Sequence, residues 1–557
     1  MKINKTTGLT ILLALVITLV YVRTVFFGFV YFDDDFLILD NLQFLQNPVN
    51  ILTAFKQDVF RVLHDCDVYY RPMMVVSLII DAQYSGAYPW GYHLGNVLLH
   101  VLCCCLLFVF LKKLGYPELP SFFMALLFGV HPLLTQAVAW IPGRNDTLLT
   151  LFVLTATIFF LDYARTGKPL FLCCFILGYT CAMFTKETAV AAIGVYAFIW
   201  VLKSREGICE HKRYIKIILS SVFIAAAWFI IRDKVLAEPM EQDIGNLIES
   251  VVSAIPAFVQ LVGKVLFPFN LSPMVLVQDT TLVTGIIAII VIAALFHPFF
   301  RKRLEYMALG MFWLIIFLVP SFLRVDNKNA VLYYEHRMYL PVIGLIILLL
   351  ETKIVDILQV RSKIVLAVQS AVIMLFCFIT FTYSYTFSNR MILWQTAVRM
   401  APHSSLAHRN LGVMLFMSGF DTKAEFHYRK ALEICPVDAM AHNNIGLIYV
   451  KQGKFREAEA EFLAELKVNP YYDVAHFNLG LLYYRLNNYK LAELYWKHTL
   501  ELNPEYTDTY YNLAMLYYQT KRYDYAQYFF AKAKEYGDSR VTKDMMNEFM
   551  NKTKNTR

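Results

Sequence analysis

The chain has 557 residues, 58% of them hydrophobic and 17% charged, against about 25% charged in a soluble protein. This composition excludes a soluble globular enzyme and points to an integral membrane protein. The net charge of +8 is spread over many short loops, which argues against nucleic-acid binding and matches the cytoplasmic loops of a multi-spanning protein.

Apolar runs of spanning length are predicted at 8–30, 94–111, 119–140, 147–164, 169–185, 188–202, 214–231, 281–299, 306–323, 338–352 and 364–386, eleven in all. The first run is long and has no clear small-residue cleavage site, so it is expected to stay as a span. A further apolar stretch, 251–277, is broken by Pro256, Pro268 and Pro273 and reads as re-entrant or interfacial. If the tail with Lys2 and Lys5 is cytoplasmic, the basic loops all fall inside: Lys112/Lys113, Arg165/Lys168, Lys203/Arg205/Lys212/Arg213, Arg301/Lys302/Arg303 and Lys353/Arg361/Lys363. The first outer loop, 31–92, and everything after an odd number of crossings then lie outside. Ten cysteines form no CxxC pair, and those in apolar runs read as small buried hydrophobes.

Three carboxylates, Asp33, Asp34 and Asp35, follow directly on the first run. Crowded like charges raise one another's pKa, so the cluster is either a solvated helix boundary or an acid site at the membrane surface. The rest of loop 31–92 carries Asp58, Asp65, Asp67, Asp81 and Arg71-Pro72 and is expected to form short interfacial helices. His93, Asn96 and His100 share one helical face at steps of three and four. The stretch 131–151 holds His131-Pro132, Gln136, Arg144 and Asp146, and its turn places Arg144 at the outer interface, where a guanidinium suits phosphate. Lys186-Glu187 interrupts an apolar run, where ionisable residues are a functional hypothesis by default. Tyr333, Tyr334, Glu335, His336, Arg337 and Tyr339 enter the tenth run from outside. Each group alone also reads as a packed polar seam or an interfacial anchor. Together they put Asp33/Asp34, Arg71, Arg144, Lys186 and Arg337 on one side of the membrane. That set suits a substrate with a phosphate head and a lipid tail: a carboxylate to activate an acceptor hydroxyl, and cations to hold the leaving phosphate.

From Pro402 the pattern changes. Pro402, Pro436, Pro470 and Pro504 step by 34 residues, as do Ala424, Ala458, Ala492 and Ala526. Leu411-Gly412, Ile445-Gly446, Leu479-Gly480 and Leu513-Ala514 keep the same step. This is the tetratricopeptide period, and about four units should stack into a superhelix that binds a partner and supplies no chemistry. The expected fold is all-α: a polytopic bundle over 1–390, an α-solenoid over 400–545 and a basic tail, 546–557.

In this order the motifs resemble the GT-C polytopic glycosyltransferases, above all the transmembrane O-mannosyltransferases with tetratricopeptide repeats, over nearly the whole chain. Asp33-Asp34, Ile38 and Asn41 fit a DDxxxIxxN element, Tyr70-Arg71-Pro72 a YRP element, and His93, Asn96 and His100 an HxxNxxxH element. His131-Pro132, Ala137-Val138, Gly143-Arg144 and Asp146 fit HPxxxEAVxxxxGRxD, with Gln136 in place of the usual glutamate; Lys186-Glu187 fits KE. Glu335, Arg337 and Tyr339-Leu340-Pro341 fit ERxLYLPS loosely, with His336-Arg337 where one arginine would sit and Val342 in place of serine. The resemblance implies inverting transfer of a sugar, mannose in that group, from a polyprenyl phosphate. The acceptor would be a protein or glycan hydroxyl on the extracytoplasmic side, with a first-loop acid as base. It leaves metal use open, a divalent metal included. An O-antigen-type oligosaccharide ligase would put its large outer loop late in the membrane half, and a non-catalytic scaffold would need none of these acids.

Overall fold

The computed structural model describes residues 4–60, 69–205, 210–236, 251–298, 302–322, 332–359, 362–542 and 545. Asp65, Asp67, Arg301, Arg361 and the basic tail lie outside them. The chain divides into two units, Met1–Pro402 and His403–Arg557.

In the first unit, seven helices among the described residues are long and apolar enough to cross a membrane: Lys5–Phe26, Pro89–Lys113, Ile141–Thr166, Glu187–Arg205, His211–Val235, Leu304–Phe322 and Lys363–Phe387. The protein is a multi-pass membrane protein. The expected span 119–140 is a bent pair, Glu118–Gly129 and Pro132–Ala139, turned by 50°. Pro132 causes the break, because it lacks the N–H that would continue the helix. The runs 169–185, 281–299 and 338–352 shorten to Pro169–Met183, Val283–Leu295 and Val342–Leu350. Each is below the about 20 residues that a bilayer needs, so among the described residues seven helices, or eight with the bent pair as one, are full-length spans by length and composition, against the eleven expected. Apolarity in these runs continues through non-helical turns such as Thr185-Lys186, which hydropathy alone does not detect. The stretch 251–277 holds one helix, Ile255–Leu266, and a two-residue strand in which Val275 pairs antiparallel with Tyr333.

Two polar ends bound this bundle. Helix Pro89–Lys113 has 25 residues, a rise of about 37 Å at 1.5 Å per residue. At its C-terminal end Lys112 and Lys5 share Glu118, and Lys113 meets Asp162 at 2.5 Å. Lys302–Asp356 and Arg303–Glu351 tie basic loops expected on the same face. Its N-terminal end holds His93 and Asn96 and faces the acid turn. Helix Lys363–Ser384, capped by the Ser362 hydroxyl, is largely exposed and ends beside that turn. There Gly28 N–H donates to Ser388 O at 2.9 Å, and Arg23 donates to Ser384. The chain therefore leaves its last span at the same end as Asp34.

Loop 31–92 folds into short helices, Leu42–Leu45 and Asn50–Thr53, and a longer one, Pro72–Ser85. These close over their own core of Leu37, Ile38, Leu45, Leu78 and Ile79.

The second unit is four helix pairs: Ser405–Met417 with Asp421–Ile434, Ala441–Lys451 with Phe455–Val468, Asp473–Arg485 with Tyr489–Leu502, and Thr507–Gln519 with Tyr523–Glu535. A Cβ on Gly412, Gly446 or Gly480 would lie 2.6, 2.7 or 2.3 Å from the ring of Tyr428, Phe462 or Trp496 in the paired helix. These contacts explain why the small residue recurs every 34 positions. Each pair is a local packing unit, so the period read from sequence carries straight into the structure.

Candidate active site

The acid turn is built by unusual backbone. Tyr31 and Asp33 have φ of 49° and 68°, a left-handed conformation that Asp tolerates and a bulky residue adopts rarely. One wide turn follows, in which Asp40 N–H reaches back five residues to Asp35 O at 2.9 Å; such turns concentrate at functional sites.

This backbone buries Asp34, which is 1% exposed. Its Oδ2 accepts from Val30 N–H at 2.7 Å, and its Oδ1 has no hydrogen-bond partner. Burial pushes the carboxyl well above the usual carboxylate range, and neighbouring Asp33 and Asp35 add to the rise. Val30 N–H and Arg144 oppose it. Asp35 is also raised by burial and has one buried oxygen without a partner.

Aromatic rings join the turn to the rest of the site. Phe32 stacks on Trp140 at 4.8 Å, and Trp140 Nε1 donates to Phe32 O at 2.8 Å. Trp394 meets the edge of Phe32 at 5.5 Å. On its other side Trp140 packs on His336 at 5.4 Å, and His336 lies 3.7 Å from Asp146. Asp146 pairs with Lys186 at 2.7 Å. Next to Lys186, Glu187 receives a bidentate Arg71 at 2.8 and 3.3 Å. The Asn145 carboxamide bridges Thr185 O and Arg71 when its oxygen faces the guanidinium. Arg337 donates to Ser321 O and lies 5.2 Å over the Tyr334 ring. Tyr334 also packs on Phe32 and His336, so the acid turn, Arg71, Asp146, Lys186, Glu187 and Arg337, scattered in sequence, fall in one connected network, whereas Glu335 pairs elsewhere.

Arg144, assigned to the donor phosphate from sequence, is turned inward. It is 1% exposed. It donates to Asn96 Oδ1 at 2.9 Å, Asp81 Oδ2 at 2.5 Å, Ser77 Oγ at 3.3 Å and Tyr92 O at 2.7 Å. Asn96 in turn donates to Val138 O, Trp140 O and Ile141 O at 3.0–3.3 Å. The pair holds the helix break on which Trp140 sits. Gly143 belongs to the same break, since a Cβ there would lie 2.7 Å from Gln136 O.

The remaining motif histidines are fasteners. His93 approaches Gly28 O at 3.5 Å, and His100 bonds Gly129 O and Tyr339 Oη. His131 reaches Val265 O at 3.0 Å across the short helix Ile255–Leu266. Gln136 donates to Pro273 O.

Sequence reasoning passed over Lys264, Trp140 and the role of Asp81. Lys264 forms a buried pair with Glu335 at 2.6 Å, and Glu335 also accepts from Ser272 N–H and Tyr383 Oη. A lone lysine in the apolar stretch 251–277 was the available signal. Among the described residues, no three His, Cys, Asp or Glu side chains come together as metal ligands would.

The tetratricopeptide-repeat family matches residues 443–496 and 477–539. Human protein O-mannosyl-transferase TMTC1 is 26% identical over 432 residues, 65% of this chain and 48% of that protein. Mouse protein O-mannosyl-transferase TMTC1 is 37% identical over 140 residues, 23% of this chain and 14% of that protein. Human protein O-mannosyl-transferase TMTC3 is 35% identical over 159 residues, 28% of this chain and 16% of that protein. The chain spans less than half the length of each of these curated relatives. Its resemblance to the transmembrane O-mannosyltransferases with tetratricopeptide repeats is thus found in whole-sequence comparison as well as in the motifs.

Proposed function

We propose that the chain is a membrane mannosyltransferase that moves mannose from a polyprenyl phosphate to a serine or threonine hydroxyl of a polypeptide. The observation that carries this reading is Asp34: a buried carboxyl with one oxygen held by Val30 N–H and the other unpartnered, two residues from Phe32, whose ring contacts lead through Trp140 and His336 towards a cluster of cations. In this scheme the acceptor hydroxyl attacks the anomeric carbon, its proton passes to Asp34 Oδ1, and polyprenyl phosphate departs. A raised carboxyl pKa suits a base, since proton transfer is most efficient when the pKa nears the working pH.

Lys186, Arg71 and Arg337 hold the departing phosphate. Each is partly exposed, unlike Arg144, and each can exchange a carboxylate or carbonyl partner for phosphate. Arg144 acts as a positioning residue, through the Asn96 lock on the helix break. The site and the repeats lie on the extracytoplasmic side. Two features support this: the basic bias of the opposite helix ends, and the last span ending beside the acid turn.

The test is mass spectrometry of O-linked glycans in cells with and without the protein. Loss of O-linked hexose from a set of peptides, restored by the wild-type chain, is expected. An unchanged glycopeptide set would refute the reading.

A further inference from the structure

Arg23 stands at the acid-turn end of the seam between the first span, Lys5–Phe26, and the last, Lys363–Phe387. It lies in the closing turn Val22–Phe26, three residues before the end of its span, a depth of about 6 Å at about 2.0 Å per residue. Its guanidinium sits among rings, 3.8 Å over Phe381, 5.6 Å from Tyr385 and 5.7 Å from Phe27. Nε donates to Ser384 Oγ at 3.2 Å, while Nη2 is buried with no hydrogen-bond partner. Among the described residues, no carboxylate pairs with it. An ionised side chain at membrane depth is costly and is held by a partner, and here the protein supplies no counter-charge.

The seam faces outward. Phe378, Phe381 and Tyr385 share one face of the last span at steps of three and four. Phe26 lies one turn on from Arg23, and all four rings are exposed. Beyond Arg23 the seam is closed by Gly28 N–H on Ser388 O, and Phe27 passes on to His93 at 6.1 Å. An anion reaching Arg23 from the bilayer therefore stops seven residues before Val30, whose N–H holds Asp34.

We propose that Arg23 is a docking point for the spent carrier, a single-chain polyprenyl phosphate monoester, on its way from the acid turn to the bilayer. A phosphate monoester carries about −1.5 to −2 charge at pH 7 and offers three acceptor oxygens. The sugar-linked donor is a diester with a single charge, so a lone guanidinium favours the product over the substrate. Nη2 gains the acceptor it lacks, and the exposed rings line the path of the chain. A seam bounded by two helices takes one chain, which disfavours two-chain glycerophospholipids. The inference rests on the proposed transfer reaction for the identity of this lipid.

The test uses the full-length protein in phosphatidylcholine nanodiscs without sugar donor. The probe is a fluorescent polyprenyl monophosphate. Arg23→Gln should weaken binding about 10-fold or more, as expected for loss of a charge-assisted hydrogen bond. Two measurements need no variant. Polyprenol without the phosphate should bind about 10-fold or more weakly, and a diazirine on the first isoprene unit should label segment 378–385. Undiminished binding by Arg23→Gln, or labelling confined to other segments, overturns the proposal. So does displacement of the probe by phosphatidic acid at equal mole fraction, which would mark a general headgroup site. Because no donor is present, Arg23-dependent binding by a protein that transfers no mannose sinks the transferase reading alone. Mannose transfer without Arg23-dependent binding sinks the docking point alone.

Discussion

Replacing Asp34 with asparagine should make the protein more stable and nearly inactive. The carbonyl of the new side chain can still accept from Val30 N–H, as Oδ2 does at 2.7 Å, so the turn keeps its anchor. The other oxygen, buried and unpartnered, becomes a neutral N–H₂. A buried unpaired neutral group costs about 1–3 kcal/mol and a charged one more, so the substitution should stabilise by about 1–3 kcal/mol at pH 8. The sign follows from linkage. The folded pKa of Asp34 is raised by burial above an unfolded value of about 3.9, so the folded state binds more protons between the two. Stability is lost as pH rises through that window, and the gain from asparagine should vanish at pH 4. Removing the general base should lower turnover about 10²–10⁴-fold, equivalent to about 2.7–5.4 kcal/mol of barrier at 1.36 kcal/mol per decade. Wild-type turnover should fall as pH drops through the raised pKa. The assay pairs mannosyl transfer to a Ser/Thr peptide in proteoliposomes with thermal unfolding of the same preparation at pH 4 and pH 8. Unchanged turnover would refute the role of Asp34. Turnover and stability falling together would refute the account of its burial.

Arg144→Met should destabilise by about 3–5 kcal/mol by stranding Asp81 as an unpaired buried charge, seen as loss of the monodisperse peak in size-exclusion chromatography. Adding Asp81→Leu should recover most of that loss. Lys186→Met should raise the KM for donor about 10-fold or more, and an unchanged KM would remove Lys186 from phosphate binding; because it strands the buried Asp146, it should also lower the unfolding temperature. Gly480→Ala forces a Cβ to 2.3 Å from the Trp496 ring; such overpacking should cost about 1–3 kcal/mol, read as faster proteolysis within the third helix pair.

The repeats were legible because everything that fixes them is local: the glycine, the ring it packs on and the closing proline recur within one 34-residue unit. The shared face of His93, Asn96 and His100 was legible for the same reason, and all three do fasten neighbouring segments. Span number was not, because hydropathy continues through turns where the backbone breaks, as at Pro132 and Thr185-Lys186. Pairings were not legible either. Arg71 meets Glu187 across 116 positions, and Arg144 meets Asp81 across 63. An arginine that grips phosphate and one that grips a buried aspartate have the same identity in a sequence, and only the fold distinguishes them.

The buried pair of Lys264 and Glu335 also constrains how this protein is made. The two residues lie 71 positions apart. Lys264 sits in the last turn of Ile255–Leu266, a helix of only 12 residues, in an apolar stretch where an ionisable side chain is costly until it is paired. At about 5–20 residues per second, the ribosome needs about 4–14 s after Lys264 to deliver its partner. During that interval the ammonium can reach only nearby carbonyls such as Asn270 O, so the segment gains its ion pair only once the YYEHR turn has emerged.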